Sequence, residues 1–286
     1  MADSKPFDHL ELAQHKFDPN PVDPHPVDSH PVDRPKLEIR NITKVFGKGK
    51  QAIVAVDDVS VQLAPNEFSC IVGPSGCGKS TLLSIAAGLM QATAGDILVD
   101  GEVVPGPGAD RGMVFQNYTL FAWLSVADNV AFGLKLRGLP RAKIRDRVAY
   151  YLDIVGLSGW AKAYPKALSG GMKQRVAIAR ALANQPEVLL MDEPFGALDA
   201  QTKEQLQAFF HDLWEKTQIT VFMITHDVEE AIFLSQRVHI MDKTGKLRET
   251  VNIGLPAHRE LDMKLTPEFL DYKRHIVYAL RFCQTK

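Results

Sequence analysis

The stretch Gly73-Pro74-Ser75-Gly76-Cys77-Gly78-Lys79-Ser80-Thr81 decides the fold of this chain. A glycine, four residues and then Gly-Lys-Ser form the pattern of a phosphate-binding loop. The apolar residues 68–72 before the loop predict a short buried strand, and residues 81–87 after it predict a helix. Because strand, loop and helix in this order are the setting that the motif requires, the sequence predicts an α/β fold built around a phosphate site.

Each part of the loop has a predicted task in holding a polyphosphate. Gly73, Gly76 and Gly78 allow the backbone to curl so that successive N–H groups point inward. The N-terminus of the following helix adds a partial positive charge. Lys79 supplies a point charge for the β- and γ-phosphates, and Ser80 offers a hydroxyl to Mg²⁺. The alternative is a glycine-rich turn that binds nothing.

Composition excludes several classes of protein. Of the 286 residues, 45% are hydrophobic and 23% are charged, so the chain can bury a core. The formal net charge of -1 lacks the basic excess of a nucleic-acid surface. We expect neither a membrane span of ~20 apolar residues nor a secretory signal. Three cysteines in unrelated settings, Cys70, Cys77 and Cys283, indicate a reducing cytoplasm.

Residues 1–35 differ from the rest of the chain. Residues 21–25, 26–30 and 31–35 are near copies of one Pro-Val-Asp unit. Proline at this density blocks both helix and sheet, so we expect a disordered Pro/His/Asp-rich extension. Its imidazoles and carboxylates are a candidate set for weak metal binding: His9, His15, His25, His30, Asp23 and Asp28.

The remaining pattern predicts an antiparallel patch, an α/β core and a helical insertion. Strands are predicted at 37–46, 54–63, 96–101, 112–115, 187–192, 220–225 and 237–241. Helices are predicted at 126–136, from Pro140 onward, and at 173–183, 201–216 and 228–234. An amphipathic helix that begins near Thr266 ends the chain.

Two further motifs carry polar groups next to predicted strands and helices. Residues 188–193 form an apolar strand that ends in Asp192, a predicted holder of Mg²⁺, and Glu193, which can polarise an attacking water. A solvated turn is the alternative. Residues 168–171, Leu-Ser-Gly-Gly, make a second anion cradle at a helix N-terminus. Because one nucleotide has little use for two cradles, we expect the second to serve the nucleotide of a neighbouring chain.

Taken together, these motifs resemble the nucleotide-binding subunit of an ABC transporter. The phosphate loop, Gln116, the Leu-Ser-Gly-Gly signature, the Asp192-Glu193 pair, Ala197-Leu198-Asp199 and His226 occur in the family order. The resemblance covers about residues 37–255. It implies a P-loop NTPase core with an antiparallel β subdomain and a helical subdomain at about 117–183. An ATPase domain would then span 36–265, and residues 266–286 would form a C-terminal helix and tail.

The resemblance also implies a head-to-tail dimer that closes over two ATP molecules, and a role for each matching residue. Glu193, His226, Gln116 and Lys79 would be catalytic, and Ser80, Gln116 and Asp192 would hold Mg²⁺. Phe46 would stack on adenine, the alternative being a core phenylalanine. The implied nucleotide-binding set is Phe46, Gly73, Pro74, Ser75, Gly76, Cys77, Gly78, Lys79, Ser80, Thr81, Ser169, Gly170, Gly171 and Asp199.

Within the family, residues 104–116 and 120–126 resemble the nitrate, sulfonate and taurine importers. There, the second segment lies near the coupling helix of the membrane partner, and Trp123 suits a groove for an apolar helix, unless it is an ordinary core residue. Met172 stands where the family usually has Gln, which we do not interpret as inactivation. The implied partners are a second ATP-binding subunit, a permease and, indirectly, an extracytoplasmic solute-binding protein, at the cytoplasmic face of the inner membrane.

Three alternatives fit less of the sequence. A soluble ABC ATPase of DNA repair or translation often has tandem cassettes or a long coiled-coil insertion. A P-loop nucleotide kinase explains residues 73–81 but neither 168–171 nor 192–193. A regulatory module without hydrolysis has no need of Glu193 and His226. The solute stays open among nitrate, a sulfonate such as taurine, bicarbonate and an aromatic acid, and the second cassette is either identical or a paralogue.

Overall fold

A computed structural model describes residues 34–283 of the chain. Residues 1–33, with nearly all of the predicted extension and its candidate metal ligands, lie outside the described residues, as do residues 284–286. Within 34–283, no helix combines the length and the apolar character that crossing a membrane requires. The cysteines Cys70, Cys77 and Cys283 are free thiols.

Ten strands and seven α-helices make up the described part of the chain. The strands are β1 (Leu37–Phe46), β2 (Ile53–Leu63), β3 (Phe68–Val72), β4 (Ala94–Val99), β5 (Glu102–Val103), β6 (Arg111–Val114), β7 (Val188–Asp192), β8 (Thr220–Thr225), β9 (Arg237–Met241) and β10 (Leu247–Asn252). The helices are α1 (Lys79–Ala86), α2 (Val126–Leu136), α3 (Arg141–Ile154), α4 (Gly170–Leu182), α5 (Ala200–Thr217), α6 (Val228–Leu234) and α7 (Pro267–Phe282).

The first sheet is antiparallel, with the strand order β2-β1-β4-β5. Its two long strands alternate as predicted, because Leu37, Ile39 and Ile42 of β1 are buried while Glu38 and Arg40 face outward or lie half-buried. The alternation gives the sheet one apolar face. That face packs into the same hydrophobic cluster as helix α1.

The second sheet holds the candidate site, and its strand order is β10-β9-β3-β8-β7-β6. Strands β9, β3, β8, β7 and β6 pair in parallel. Every residue of β3 and of β8 is buried, as the continuous apolar runs predict. The carboxyl ends of parallel strands share one edge of a sheet. The phosphate loop after β3, the residue pair 192–193 at the end of β7 and His226 after β8 therefore meet at one edge.

The helical insertion has a hydrophobic cluster of its own. Helices α2, α3 and α4 contribute Val130, Leu134, Leu152 and Val176 to it, all buried. Helix α2 begins where the sequence predicts, because the Ser125 hydroxyl accepts a hydrogen bond from the backbone N–H of Asp128. The segment thus folds around its own core.

Four features differ from the sequence-based predictions. Helix α4 begins at Gly170, three residues before the predicted start, because the Ser169 hydroxyl caps the helix there. Helix α1 begins at Lys79, two residues before the predicted start, because Gly78 turns the chain with a φ of 101° and the helix follows at once. Strand β5 has two residues, too few to show a period. Strand β10 pairs with β9 at the edge of the second sheet, and its half-buried and exposed residues gave no apolar run to detect.

An ion pair between a buried carboxylate and a half-buried guanidinium joins the two sheets. The Glu67 carboxylate is 1% exposed, and its Oε1 accepts a hydrogen bond from Arg237 Nε at 2.6 Å. Its Oε2 accepts from the backbone N–H of Ala64 at 2.8 Å. Arg237 also donates to the carbonyl of Gln62, at the end of β2. The pair therefore fixes the exit of β2 against the start of β9.

We predict that Glu67→Ala lowers the free energy of unfolding by about 1.5–3 kcal/mol, because it removes charge-assisted hydrogen bonds from the half-buried Arg237 guanidinium. Asp146→Ala is the control, since Asp146 pairs with Arg145 on the surface, where both side chains are more than half exposed. It should cost less than about 1 kcal/mol. Urea denaturation followed by circular dichroism measures both values. Equal losses in the two variants would contradict the structural role of Glu67.

Candidate active site

The phosphate loop is held in shape by close contacts with neighbouring strands. Gly76 and Gly78 have φ angles of 78° and 101°. A Cβ atom on Gly78 would lie 2.0 Å from the carbonyl oxygen of Ala55 in β2. One on Gly73 would lie 2.6 Å from the carbonyl oxygen of Met241 in β9. Side chains at either position would collide with these strand carbonyls, which explains why the motif has glycine at 73 and 78.

The Lys79 ammonium lies inside the curl of the loop. The residue is 5% exposed, and its Nζ donates to the carbonyl oxygens of Gly73 at 2.8 Å and Pro74 at 3.0 Å. A buried ammonium is costly unless it is paired, and two carbonyls leave the positive charge uncompensated. The loop therefore presents a charge that a polyphosphate can neutralise.

Two side chains with oxygen atoms that can bind a metal ion lie at the start of α1 and the end of β7. The Ser80 hydroxyl donates to Asp192 Oδ1 at 3.3 Å. Burial raises the pKa of the Asp192 carboxyl, and the hydrogen bond from Ser80 opposes that shift. A hydroxyl and a carboxylate are hard oxygen ligands of the kind that Mg²⁺ prefers. The pair therefore fits a magnesium ion, and a bound cation would stabilise the ionised form of Asp192.

The Glu193 carboxylate and the His226 imidazole are in direct contact. His226 Nδ1 lies 3.0 Å from Glu193 Oε2. Glu193 has a φ of 42°, in the left-handed region that residues other than glycine rarely adopt. Its backbone is held in a turn, since its N–H donates to the carbonyl of Ile224 in β8 and its carbonyl accepts from Gly196. Strained backbone of this kind is concentrated at functional sites.

Gln116 approaches the same carboxylate from the loop after β6. A Cβ atom on Gly196 would lie 3.3 Å from Gln116 Nε2 and 3.7 Å from Glu193 Oε2. The amide and the carboxylate therefore flank one glycine. The structure thus brings five predicted residues to the edge of the second sheet: Lys79, Gln116, Asp192, Glu193 and His226.

Residues 169–171 have a different set of neighbours. The Ser169 hydroxyl caps α4 by accepting from the N–H of Met172 at 3.3 Å. Cβ atoms on Gly170 and Gly171 would lie 3.1 Å from Leu198 Cδ2 and 2.8 Å from Thr202 Cγ2, respectively. The signature therefore packs against the segment that leads into α5.

Asp199 lies in that segment and caps α5. Its carboxylate accepts from the N–H of Thr202 at 3.0 Å, and the hydrogen bonds from Thr202 lower the pKa of the exposed carboxyl. Asp199 and residues 169–171 thus form a second set of predicted site residues, and their contacts differ from those of the phosphate loop.

Phe46 ends β1 with its ring 41% exposed, and Lys44 Nζ lies 5.1 Å from the ring centroid. Phe46 is paired with Ile53, two residues before Ala55, whose carbonyl contacts the loop at Gly78. The ring therefore projects from the strand pair that packs on the loop, and a partly exposed aromatic face there can stack on a base.

An apolar groove lies between the helical insertion and the second sheet. Its volume is about 530 Å³, and its lining includes Phe115, Phe121, Phe132, Leu136, Arg137 and Arg180. Trp123 is 74% exposed, with its ring centroid 5.4 Å from that of Phe121. The alternative of a core tryptophan is therefore wrong.

Sequence reasoning missed Arg180. From helix α4 its guanidinium donates to the carbonyl oxygens of Tyr118 at 3.1 Å and Thr119 at 2.7 Å, two residues with positive φ. It also lies over the ring of Phe121. Arg180 thus supports the loop that follows Gln116. The sequence signal that could have revealed it is an arginine within the apolar run 176–182 of α4.

Comparisons with known proteins agree with this geometry. The family described as ABC transporter matches residues 56–196. The chain is 50% identical over 257 residues to the nitrate import ATP-binding protein NrtD of Synechocystis sp., covering 87% of this chain and 97% of that one. It is 42% identical to the aliphatic sulfonates import ATP-binding protein SsuB of Bacillus cereus, covering 84% of this chain and 94% of that one.

Among solved structures, a dimeric post-hydrolysis state of the ATP-binding cassette MJ0796 bound to ADP and Pi matches with a TM-score of 0.68. The sequences are 32% identical, and the match covers 77% of this chain and all of that one. The fold is therefore that of a P-loop ATPase cassette. The chain belongs to the ABC transporter family as the ATP-hydrolysing subunit of an importer, which confirms the resemblance.

We predict that Gly78→Ala is far more damaging than Gly76→Ala, although both glycines have positive φ. A methyl group on Gly76 meets nothing within 4 Å, so that change should cost only the left-handed backbone strain, about 1–2 kcal/mol. A methyl group on Gly78 collides with the backbone of Ala55 and must displace β2 or the loop. Binding of a fluorescent ATP analogue should survive in Gly76→Ala and disappear in Gly78→Ala. Equal affinities would contradict the packing of the loop.

Proposed function

We propose that this ATPase powers the import of a small oxyanion, nitrate or an organic sulfonate, as one of two cassettes attached to a permease. The observation that carries the proposal is the 50% identity to a nitrate import ATP-binding protein over nearly the full length of that protein. The similarity to a sulfonate import protein extends the class to related anions. An extracytoplasmic solute-binding protein would deliver the anion, and the cassettes would lie on the cytoplasmic face of the membrane.

The phosphate loop, residues 73–81, is the proposed ATP site. Its backbone N–H groups and the Lys79 ammonium hold the β- and γ-phosphates, and Phe46 stacks on the adenine. Ser80, Gln116 and Asp192 are the proposed holders of Mg²⁺. Magnesium, when bound, neutralises charge on the phosphate oxygens. The contact between Ser80 and Asp192 supports this set, because both oxygens are already close together.

Hydrolysis needs a water molecule in line with the γ-phosphate and a group that accepts its proton. Glu193 is the proposed base, and its carboxylate is oriented by His226 through the 3.0 Å contact. The second ring nitrogen of His226 is proposed to face the γ-phosphate. Lys79 stabilises the negative charge that shifts toward the leaving oxygen. The chain thus acts by positioning and charge stabilisation.

The second cassette is proposed to supply the signature. Ser169, Gly170 and Gly171 would meet the γ-phosphate bound by the partner subunit, and Asp199 would lie at the seam between the two subunits. The support is that the signature and the phosphate loop have different neighbours within the chain. The similar cassette MJ0796 is dimeric in two solved structures. Closure would then complete two sites at once.

The groove beside Trp123 is the proposed contact with the permease. Phe121 and Phe132 lie with their ring centroids 4.4 Å apart, and Trp123 extends the aromatic surface outward. An amphipathic helix of a membrane protein fits a groove of this kind. Arg180 joins this aromatic surface to the loop after Gln116, and that connection would link the nucleotide site to transport.

We predict that Glu193→Gln slows ATP hydrolysis by ~10²–10³, or about 3–4 kcal/mol of barrier. The amide cannot accept a proton but keeps the shape of the side chain, so ATP-dependent dimerisation should persist. Lys79→Ala is the contrasting variant, which should lose ATP binding and dimerisation together. Phosphate release and size-exclusion chromatography with ATP measure the two properties. Near-normal turnover of Glu193→Gln would exclude it as the base.

The same Glu193→Gln variant tests the class of solute. Cells that carry only this form of the gene should lose uptake of one anion, nitrate or a sulfonate such as taurine, and keep uptake of unrelated solutes. The wild-type gene should restore the lost uptake. Unchanged uptake of both anions would contradict the proposed class, whatever the rate of hydrolysis by the purified chain.

We predict that Trp123→Ala uncouples transport from hydrolysis. Loss of a large exposed aromatic anchor should weaken binding to the permease by about 2 kcal/mol or more, while hydrolysis by the isolated chain stays unchanged. Trp160→Ala is the matched control, because Trp160 is also exposed, at 43%, but lies in the turn after α3, whereas Trp123 packs on Phe121 of the groove lining. Reconstituted vesicles measure transport. Equal transport by the two variants would reject the role of Trp123.

A further inference from the structure

A cluster of metal-ligating side chains lies on α5, apart from the nucleotide site. His211, Asp212 and Glu215 each present one nitrogen or carboxylate oxygen, and these three atoms lie within 4.8 Å of one another. His211 and Glu215 are four residues apart and share one helix face. Asp199, at the start of the helix, is twelve residues from His211, or about 18 Å at 1.5 Å per residue. The cluster therefore lies well beyond the cap of α5, and none of its three residues belongs to the proposed Mg²⁺ set of Ser80, Gln116 and Asp192.

The imidazole of His211 is buried without a hydrogen-bond partner. The residue is 0% exposed, and within the described residues neither Nδ1 nor Nε2 has a partner. Its ring packs on the apolar faces of Trp214 and Phe233, with centroid distances of 5.9 and 5.8 Å. Burial lowers the pKa of His211 to about 4, so the ring is neutral. A buried polar group without a partner costs about 1–3 kcal/mol, which a bound ion would offset.

A second imidazole reaches the cluster from the loop after β10. His258 Nδ1 lies 3.2 Å from Glu215 Oε2, and His258 Nε2 lies 3.8 Å from Glu260 Oε1. The His258 side chain is 68% exposed, so it has room to turn toward the cluster. The loop thus brings the His258 imidazole, a nitrogen ligand, into contact with the Glu215 carboxylate of α5.

A buried cation close to the cluster, Arg259, has hydrogen-bond partners of its own. Arg259 follows His258 and is 3% exposed. Its Nη1 donates to the carbonyl oxygens of Ile232, Phe233 and Ser235 at the end of α6, at 2.8–3.1 Å. Its Nε donates to the carbonyl of Pro256. These bonds direct the guanidinium to backbone oxygens, and its hydrogen bonds within the described residues reach neither Asp212 nor Glu215.

We propose that His211, Asp212, Glu215 and His258 form a site for a divalent transition metal ion, with Zn²⁺ as the best fit. Two imidazole nitrogens and two carboxylate oxygens are a set that tetrahedral Zn²⁺ accepts, whereas Mg²⁺ and Ca²⁺ prefer oxygen ligands alone. Metal–ligand bonds of about 2.0 Å place the ligand atoms of a tetrahedral site about 3.3 Å apart. The three ligand atoms on α5 lie within 4.8 Å of one another, so side-chain rotations would bring them to that distance. The ion would fasten the loop before α7 to α5.

The test uses the full chain in which the four histidines of the N-terminal extension, His9, His15, His25 and His30, are changed to Ala. This background removes competing imidazoles. Titration with ZnCl₂, followed by calorimetry, should give one ion per chain. His211→Leu in the same background should weaken binding by about 100-fold or more. His275→Ala is the matched control, because His275 forms an exposed pair with Glu249 at 2.6 Å elsewhere on the surface and should leave the affinity unchanged.

A second measurement keeps the test independent of folding defects. In metal-free buffer, His211→Leu should melt at least as high as the background chain, because leucine suits the apolar contacts and leaves no unpaired nitrogen. Added Zn²⁺ should raise the melting temperature of the background chain only. Equal Zn²⁺ affinity with and without His211 would overturn the site. Loss of all tight binding in the background chain would overturn it too, by placing the metal on the extension.

Discussion

The parallel pairing of β8 between β3 and β7 is the constraint on which the candidate site depends. Each of the three strands ends in a different chemical group, and parallel pairing places all three ends at one edge of the sheet. The lysine of the loop, the two acids and the histidine come from residues 79 to 226 of the sequence. A slip of one residue in any strand would turn its terminal group away, and the fully buried strands oppose such a slip because both faces are packed.

In the proposed dimer, each chain supplies two separate halves of the shared sites. The phosphate loop is shaped by β2 and β9, whereas the signature is shaped by the turn into α5. A dimer that joins the two halves would make hydrolysis depend on closure. A transporter needs that dependence so that it hydrolyses ATP only when its membrane partner moves.

Much of this could be predicted from sequence because the decisive signals are local. Apolar runs gave the parallel strands, a serine cap gave the start of α2, and the loop motif gave the start of α1 to within two residues. Strand β10 could not be predicted, since its half-buried face carries only two apolar residues, Leu247 and Val251, with Glu249 between them. The contact between Glu193 and His226, the support from Arg180 and the unpartnered nitrogens of His211 are tertiary facts that arise only when distant segments pack.

Complementation between two inactive variants tests the shared site most directly. Lys79→Ala disables the phosphate loop and leaves the signature intact, whereas Ser169→Arg does the reverse at an exposed residue. In a mixed dimer, one of the two sites then has both halves intact. Random pairing of the two variants on a shared permease should restore up to about a quarter of wild-type ATP hydrolysis, because half of the cassette pairs are mixed and each keeps one site. If the mixture stays as inactive as either variant alone, although mixed dimers form, the two halves do not come from different chains.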